Sequence, residues 1–153
     1  MIACSSVLDV PILMGGTQSG ESLAASFIAE QMRELTMNRL EMFFPQIISL
    51  VSETSEVQDS DMSPVSYETA QAALCFALLL PRSFPNPEVA ADPDGEISFD
   101  WSKSGKMFSV SISGKGRVSY AGRFSDKSKI HGIEQLSETI PSEVLRGIEK
   151  TIR

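Results

Sequence analysis

His131 is the only imidazole in this chain of 153 residues, so any mechanism that needs an imidazole to move a proton must use it. Asp100 and the serines at 98, 102, 109, 111 and 113 supply the partner types that a Ser-His-Asp hydrolase needs. Their arrangement does not favour one. The chain has no Gly-x-Ser-x-Gly elbow, and serines alternating along strands lack the sharp turn that exposes an activated hydroxyl. A hydrolase using His131 is therefore a second alternative, and a solvated, locally bonded imidazole is the plainer reading. Ser102-Lys103-Ser104-Gly105-Lys106 has the glycine-lysine step of a phosphate loop, but position 100 is Asp where glycine is needed. Met107 also replaces the Ser or Thr that would reach magnesium. The acid pairs Asp92/Asp94 and Asp59/Asp61 stand in loop sequence without a histidine or further ligands at metal spacing. No catalytic residue, metal site or cofactor is expected.

The concentrated signal is charge. Residues 1 to 94 carry three basic side chains against thirteen acidic ones, a balance of −10, whereas residues 95 to 153 carry ten against seven, a balance of +3; the whole chain is −7. Between Lys103 and Lys129 seven basic residues face Asp126 alone. Lys103, Lys106 and Lys115 fall at hairpin tips, and Arg117 and Arg123 project from the serine-rich face, so these five are the expected partner-binding residues. The patch offers phosphates or an acidic protein a positive surface. It lacks stacking platforms for bases, because Phe99, Trp101, Phe108 and Tyr120 share the apolar side. Solubilising the sheet and protecting its edges is the alternative use of the same charges.

These residues sit on a sheet because apolar and small polar side chains alternate through three segments. Ile97, Phe99 and Trp101 oppose Ser98, Asp100 and Ser102; Phe108, Val110 and Ile112 oppose Ser109, Ser111 and Ser113; Val118, Tyr120 and Phe124 oppose Arg117, Ser119 and Arg123. Period-two alternation gives one buried and one solvated face, the pattern of an antiparallel meander. Ile130 to Leu136 reads as a fourth, edge strand. Asp94-Gly95 and Gly114-Lys115-Gly116 are turns.

Before the sheet the pattern is helical. Residues 1 to 20 end in a glycine-rich run that predicts a flexible N-terminal segment, and Met1 to Met14 lacks the basic start of a secretory signal. From Glu21 to Phe44 the residues Leu23, Phe27, Ile28, Met32, Leu35, Met42 and Phe43 form an apolar stripe, and Pro45 is expected to end or kink that helix. Ile47 to Val51 makes a short second segment, followed by a polar loop from Ser52 to Asp61. Ser63 with Pro64 then predicts a helix start, with Met62 and Tyr67 as its hydrophobic staple, and the helix runs to Leu80. Pro81, Pro85, Pro87 and Pro93 hold an extended connection. Ile140, Val144, Leu145, Ile148 and Ile152 fall on one face of a last helix, where Gly147 allows close packing.

Composition sets the remaining bounds. With 42% hydrophobic residues the chain can bury one ordinary core, and no apolar window is long enough to cross a membrane. Cys4 and Cys75 lie 71 positions apart, which suggests neither a disulfide framework nor a zinc site; Cys75, in an apolar run, reads as a small core residue, and the cytoplasm as the location.

Asp92-Pro93-Asp94-Gly95-Glu96-Ile97 leading to Trp101, Tyr120-Ala121-Gly122-Arg123-Phe124, Ile130-His131-Gly132, and Ile140-Pro141 together resemble a group of small uncharacterised bacterial proteins. The likeness runs from about Leu80 to the C-terminus and implies bacterial or mobile-element origin, with no activity attached. The sequence thus predicts an α+β domain over residues 21–153: helices within 21–80, a three- to four-stranded antiparallel meander over 95–136, and a C-terminal helix over 140–153 packed on one sheet face. The function expected is a non-catalytic protein-binding module, an inhibitor, antitoxin-like or accessory protein acting on a larger protein partner, with a homodimer allowed. Nucleic-acid binding through the basic meander is the first alternative.

Overall fold

The computed structural model describes residues 20–57 and 61–153. The flexible segment expected over residues 1 to 20 lies outside that range except for Gly20, as does Asp59. Helix α1 spans Gly20–Glu56 and helix α2 spans Tyr67–Leu79. Five strands follow: β1 Glu88–Ala91, β2 Ile97–Lys103, β3 Lys106–Ile112, β4 Arg117–Arg123 and β5 Lys129–Gln135. Helix α3, Ser142–Ile152, closes the chain. The strands pair antiparallel in sequence order, β1-β2-β3-β4-β5, an α+β meander with one more strand than the upper count expected from sequence.

The added strand is β1. It lies within the proline-rich connection, just after Pro85 and Pro87 and just before Pro93, and pairs only with β2. An edge position tolerates such neighbours because only one side of the strand needs donors, and prolines favour the extended backbone that pairing requires. The fourth expected strand is β5, at the other edge.

Register confirms the two faces. Ile97, Phe99 and Trp101 stand opposite Ile112, Val110 and Phe108, and these last two and Ile112 stand opposite Tyr120, Gly122 and Val118. The apolar side is covered by α2, α3 and the second half of α1. Phe99 is central: its ring lies 5.0 Å from Phe76 of α2 and 6.5 Å from Phe43 of α1. From α3, Val144 and Ile148 are fully buried, with Ile140 just before them.

Pro45 does not end α1, which runs through it as one helix. The lost hydrogen bond falls on a solvated side, since both Glu41 and Pro45 are exposed, while Phe43, Ile47 and Val51 hold the opposite side in the core. The expected apolar stripe on α1 is only half used. Phe43 is buried and Met42 partly so, but Leu23, Phe27, Ile28, Met32 and Leu35 are exposed. The reason is length: α2 has 13 residues against 37 in α1, so the first half of α1 overhangs its neighbour.

Helix α2 starts three residues later than the Ser63-Pro64 pair predicts. Ser66 is its cap, accepting from the Thr69 N–H at 3.1 Å. Residues 63–65 are drawn out of the helix by other bonds, Ser63 N–H to the Pro93 carbonyl and Val65 N–H to Thr54 Oγ1. The staple positions shift with the cap, so buried Val65 and Ala70 take them and Tyr67 points to solvent. Cys75 is buried as expected, but its thiol is not free: it is disulfide-bonded. No helix among the described residues is long and apolar enough to cross a membrane.

Candidate protein-binding face

With all three helices on one side, no described element covers the other face of the sheet. Alternation and register place Glu88 and Ala90 of β1, Ser98, Asp100 and Ser102 of β2, and Met107, Ser109 and Ser111 of β3 on it. Arg117, Ser119, Ala121 and Arg123 of β4, and Lys129, His131, Ile133 and Gln135 of β5, continue the same face. Its middle is built of small side chains. Met107 and Ile133 stand exposed above that floor, at 51% and 67%. Acidic Glu88 and Asp100 lie toward the β1 side, and basic Arg123 and Lys129 with His131 toward the β5 side.

The five basic residues expected to bind a partner do not form one patch. Arg117 and Arg123 are on the open face as expected, but at opposite ends of β4. Lys103 and Lys106 pair with each other at the β2–β3 hairpin and belong to the helix-covered side, where Lys103 Nζ donates to the Ile152 carbonyl at the end of α3. A cation is favourable against the last carbonyls of a helix. Lys115 sits on the β3–β4 turn, the same end as Arg117. Arg117 is also engaged, donating to Glu96 Oε1 in an ion pair.

That ion pair belongs to an acidic corner. Carboxylate oxygens of Asp92, Asp94 and Glu96 lie within 4.8 Å of one another, so Glu96 joins the Asp92/Asp94 pair that the sequence shows as two acids alone. Each is already bonded: Asp92 accepts from Ser111 Oγ, Asp94 from the Glu96 N–H at 3.2 Å, and Glu96 from Arg117. The corner is held by the β1–β2 turn, where Gly95 at φ +84° brings its backbone so near Pro64 that a Cβ would lie 2.8 Å from that carbonyl oxygen.

Asp100, Ser109, Ala121 and His131 form a single cross-strand row. The types of a catalytic triad are thus aligned but not in contact. Three strand spacings, about 14 Å, separate Asp100 from His131, and Ala121 stands next to the imidazole where an orienting group would be needed. A groove of about 510 Å³ at the β1 edge, lined by Glu88, Asp100, Trp101, Lys103 and Ile152 among others, contains neither a histidine nor a cysteine. At the β4–β5 turn, Asp126 is held well below the ordinary carboxylate range, to about 2, by hydrogen bonds from the Ser128 hydroxyl and N–H, helped by Lys150.

Comparison with protein-family models, with curated proteins and with solved structures finds no match.

Proposed function

We propose that this protein is a non-catalytic protein-binding module that uses the open face of its sheet, in the manner of an inhibitor, an antitoxin-like protein or an accessory subunit. The observation that carries this reading is a five-stranded sheet with one face left without a covering layer among the described residues. A flat floor of serine and alanine admits close approach of another protein. Met107 and Ile133 supply apolar anchors, and charge of opposite sign at the two sides fixes orientation. The matching surface would carry acidic groups opposite Arg123 and Lys129 and basic groups opposite Glu88 and Asp100. Dispersal of the basic residues over two ends and two sides weighs against a polyanion tracking along one continuous patch.

The test compares two tagged baits in the native host, the wild-type chain and Ala121→Arg/Ile133→Asp. Both substitutions are on exposed positions and leave the core intact. A protein retained by the first and lost by the second supports the reading; equal retention by both removes the open face from the interaction.

A further inference from the structure

Charge on the open face is sorted by strand. Acidic Glu88 and Asp100 stand on β1 and β2, and basic Arg123, Lys129 and His131 on β4 and β5. The central strand β3 gives this face Met107, Ser109 and Ser111, with no charge. Two of the cross-strand pairs are unfavourable within one chain. Glu88 is directly opposite Asp100 and Arg123 directly opposite Lys129, and like charges at opposed positions repel. Among the described residues none of these four forms an ion pair. Each pair lacks a counter-charge in its own chain, and the other pair has the opposite sign.

We propose that the protein meeting the open face is a second copy of this chain, packed face to face about a two-fold axis that runs along β3 between the two sheets. The proposal rests on the reading that this face binds a protein, and it names the partner. Such an axis carries β1 over β5 and β2 over β4 of the second copy and leaves position along the strands unchanged. The row Glu88, Asp100, Ser109, Ala121 and His131 then faces its own reverse, so Glu88 meets His131 and Asp100 meets Ala121. Arg123 and Lys129 lie two residues along, about 7 Å from that row and within the length of their side chains from the opposing acids. Apolar groups match as well. Exposed Ile133 stands over Ala90 of the second copy, because these two end the neighbouring row, and Met107 meets Met107 near the axis. The serine and alanine floor admits the spacing of about 10 Å at which sheets pack. Five strands at about 4.8 Å and residues at about 3.4 Å give a face of roughly 24 by 24 Å, or about 1,100 Å² over both copies. That is just below the range of stable, specific interfaces and fits an exchanging dimer with a Kd of about 10–100 μM.

The experiment is sedimentation equilibrium of the full chain up to about 500 μM, several-fold above the expected Kd, with two charge-reversed variants, Glu88→Lys/Asp100→Lys and Arg123→Glu/Lys129→Glu. Each variant replaces one like-charge pair by another, so the stability of the single chain changes little; circular dichroism checks the fold. If a double variant fails that check, Glu88→Lys and Lys129→Glu, both at exposed positions, take the places of the two. The wild type should dimerise, and each variant alone should do so at least about 10-fold more weakly, because its face then carries one sign. An equimolar mixture of the two should form a heterodimer about as tight as the wild-type dimer, since every reversed pair again meets its opposite. A dimer equally tight in both variants would overturn the face-to-face arrangement. A wild type that stays monomeric would overturn the second copy. If Ala121→Arg/Ile133→Asp then still loses a protein that the wild-type bait retains, the open face keeps its role and only the partner named here is wrong; equal retention by both baits removes the face as well.

Discussion

Phe108 of β3 lies directly against Gly147 of α3: a Cβ at position 147 would stand 2.1 Å from the Phe108 Cε2. Helix and sheet meet here backbone to ring, and Phe108 is fully buried. Gly147→Ala would gain about 1 kcal/mol of helix propensity and lose more to overpacking, typically about 1–3 kcal/mol and here toward the upper end. The expected outcome in chemical denaturation is net destabilisation. A more stable variant would mean that α3 sits farther from the sheet than described.

Arg39 ties α1 to the end of α2 by donating to three carbonyls, those of Ala77 at 3.0 Å, Leu80 at 2.7 Å and Pro81 at 2.9 Å. Burial, with Arg82 nearby, lowers its affinity for its proton, yet a guanidinium remains charged under ordinary conditions. Arg39→Ala should cost about 2–3 kcal/mol, since hydrogen bonds from a charged donor are stronger than neutral ones and the helix carbonyls lose their partner. Arg39→Lys should recover less than half, because one ammonium cannot span three acceptors. Equal stability of Lys and Arg at this position in urea melts would contradict the geometry.

Trp101 is 3% exposed, and its indole N–H donates to the Pro85 carbonyl at 2.9 Å, fastening the proline-rich connection to the sheet. Trp101→Ala should cost about 3–5 kcal/mol. Trp101→Phe keeps most of the packing and loses the bond, so it should cost about 1–2 kcal/mol. A loss below about 1 kcal/mol for the alanine variant would contradict the burial of this face.

Asp126 is exposed at the β4–β5 turn, and the Ser128 bonds and Lys150 favour its ionised form. Its folded value, about 2, is below the ordinary unfolded one, so whatever the loop contributes is complete above about pH 4 and is lost as the pH falls toward 2. Carboxyl NMR should place its midpoint near 2 in the wild type and closer to the ordinary value in Ser128→Ala. An unshifted midpoint in the wild type would show that these bonds do not persist in solution.

What was legible in the sequence follows from which forces act locally. Serine alternating with Phe, Val and Ile over β2, β3 and β4 encodes faces directly, and the α3 face and the close packing at Gly147 were readable for the same reason. Strand β1 was hidden because four residues among prolines carry little periodicity, and it exists through its pairing with β2. The continuity of α1 through Pro45 depends on the core holding Phe43 and Ile47 on either side. The stripe on Leu23 to Leu35 was read from its period, but period alone does not say how long the partner helix is. For the site, the open-face positions of Arg117 and Arg123 were legible from alternation. The ion pair of Arg117 with Glu96 and the turning of Lys103 toward α3 depend on contacts 21 and 49 residues apart, beyond the range of any local pattern.

The central claim is that the open sheet face meets a protein, and the most direct measurement is the salt dependence of binding with that face intact and altered. For the copurifying partner, affinity should change by less than about 10-fold between about 50 and 200 mM salt, because an interface with apolar anchors releases few counterions. Ala121→Arg/Ile133→Asp should weaken it by at least about 100-fold, the scale of losing a central anchor. Under the same conditions, DNA and RNA of mixed sequence should bind no tighter than about 10 μM, since a net charge of −7 opposes a polyanion. Nucleic-acid binding tighter than that, falling steeply with salt and abolished by charge reversal of Arg117 and Arg123, would contradict the account.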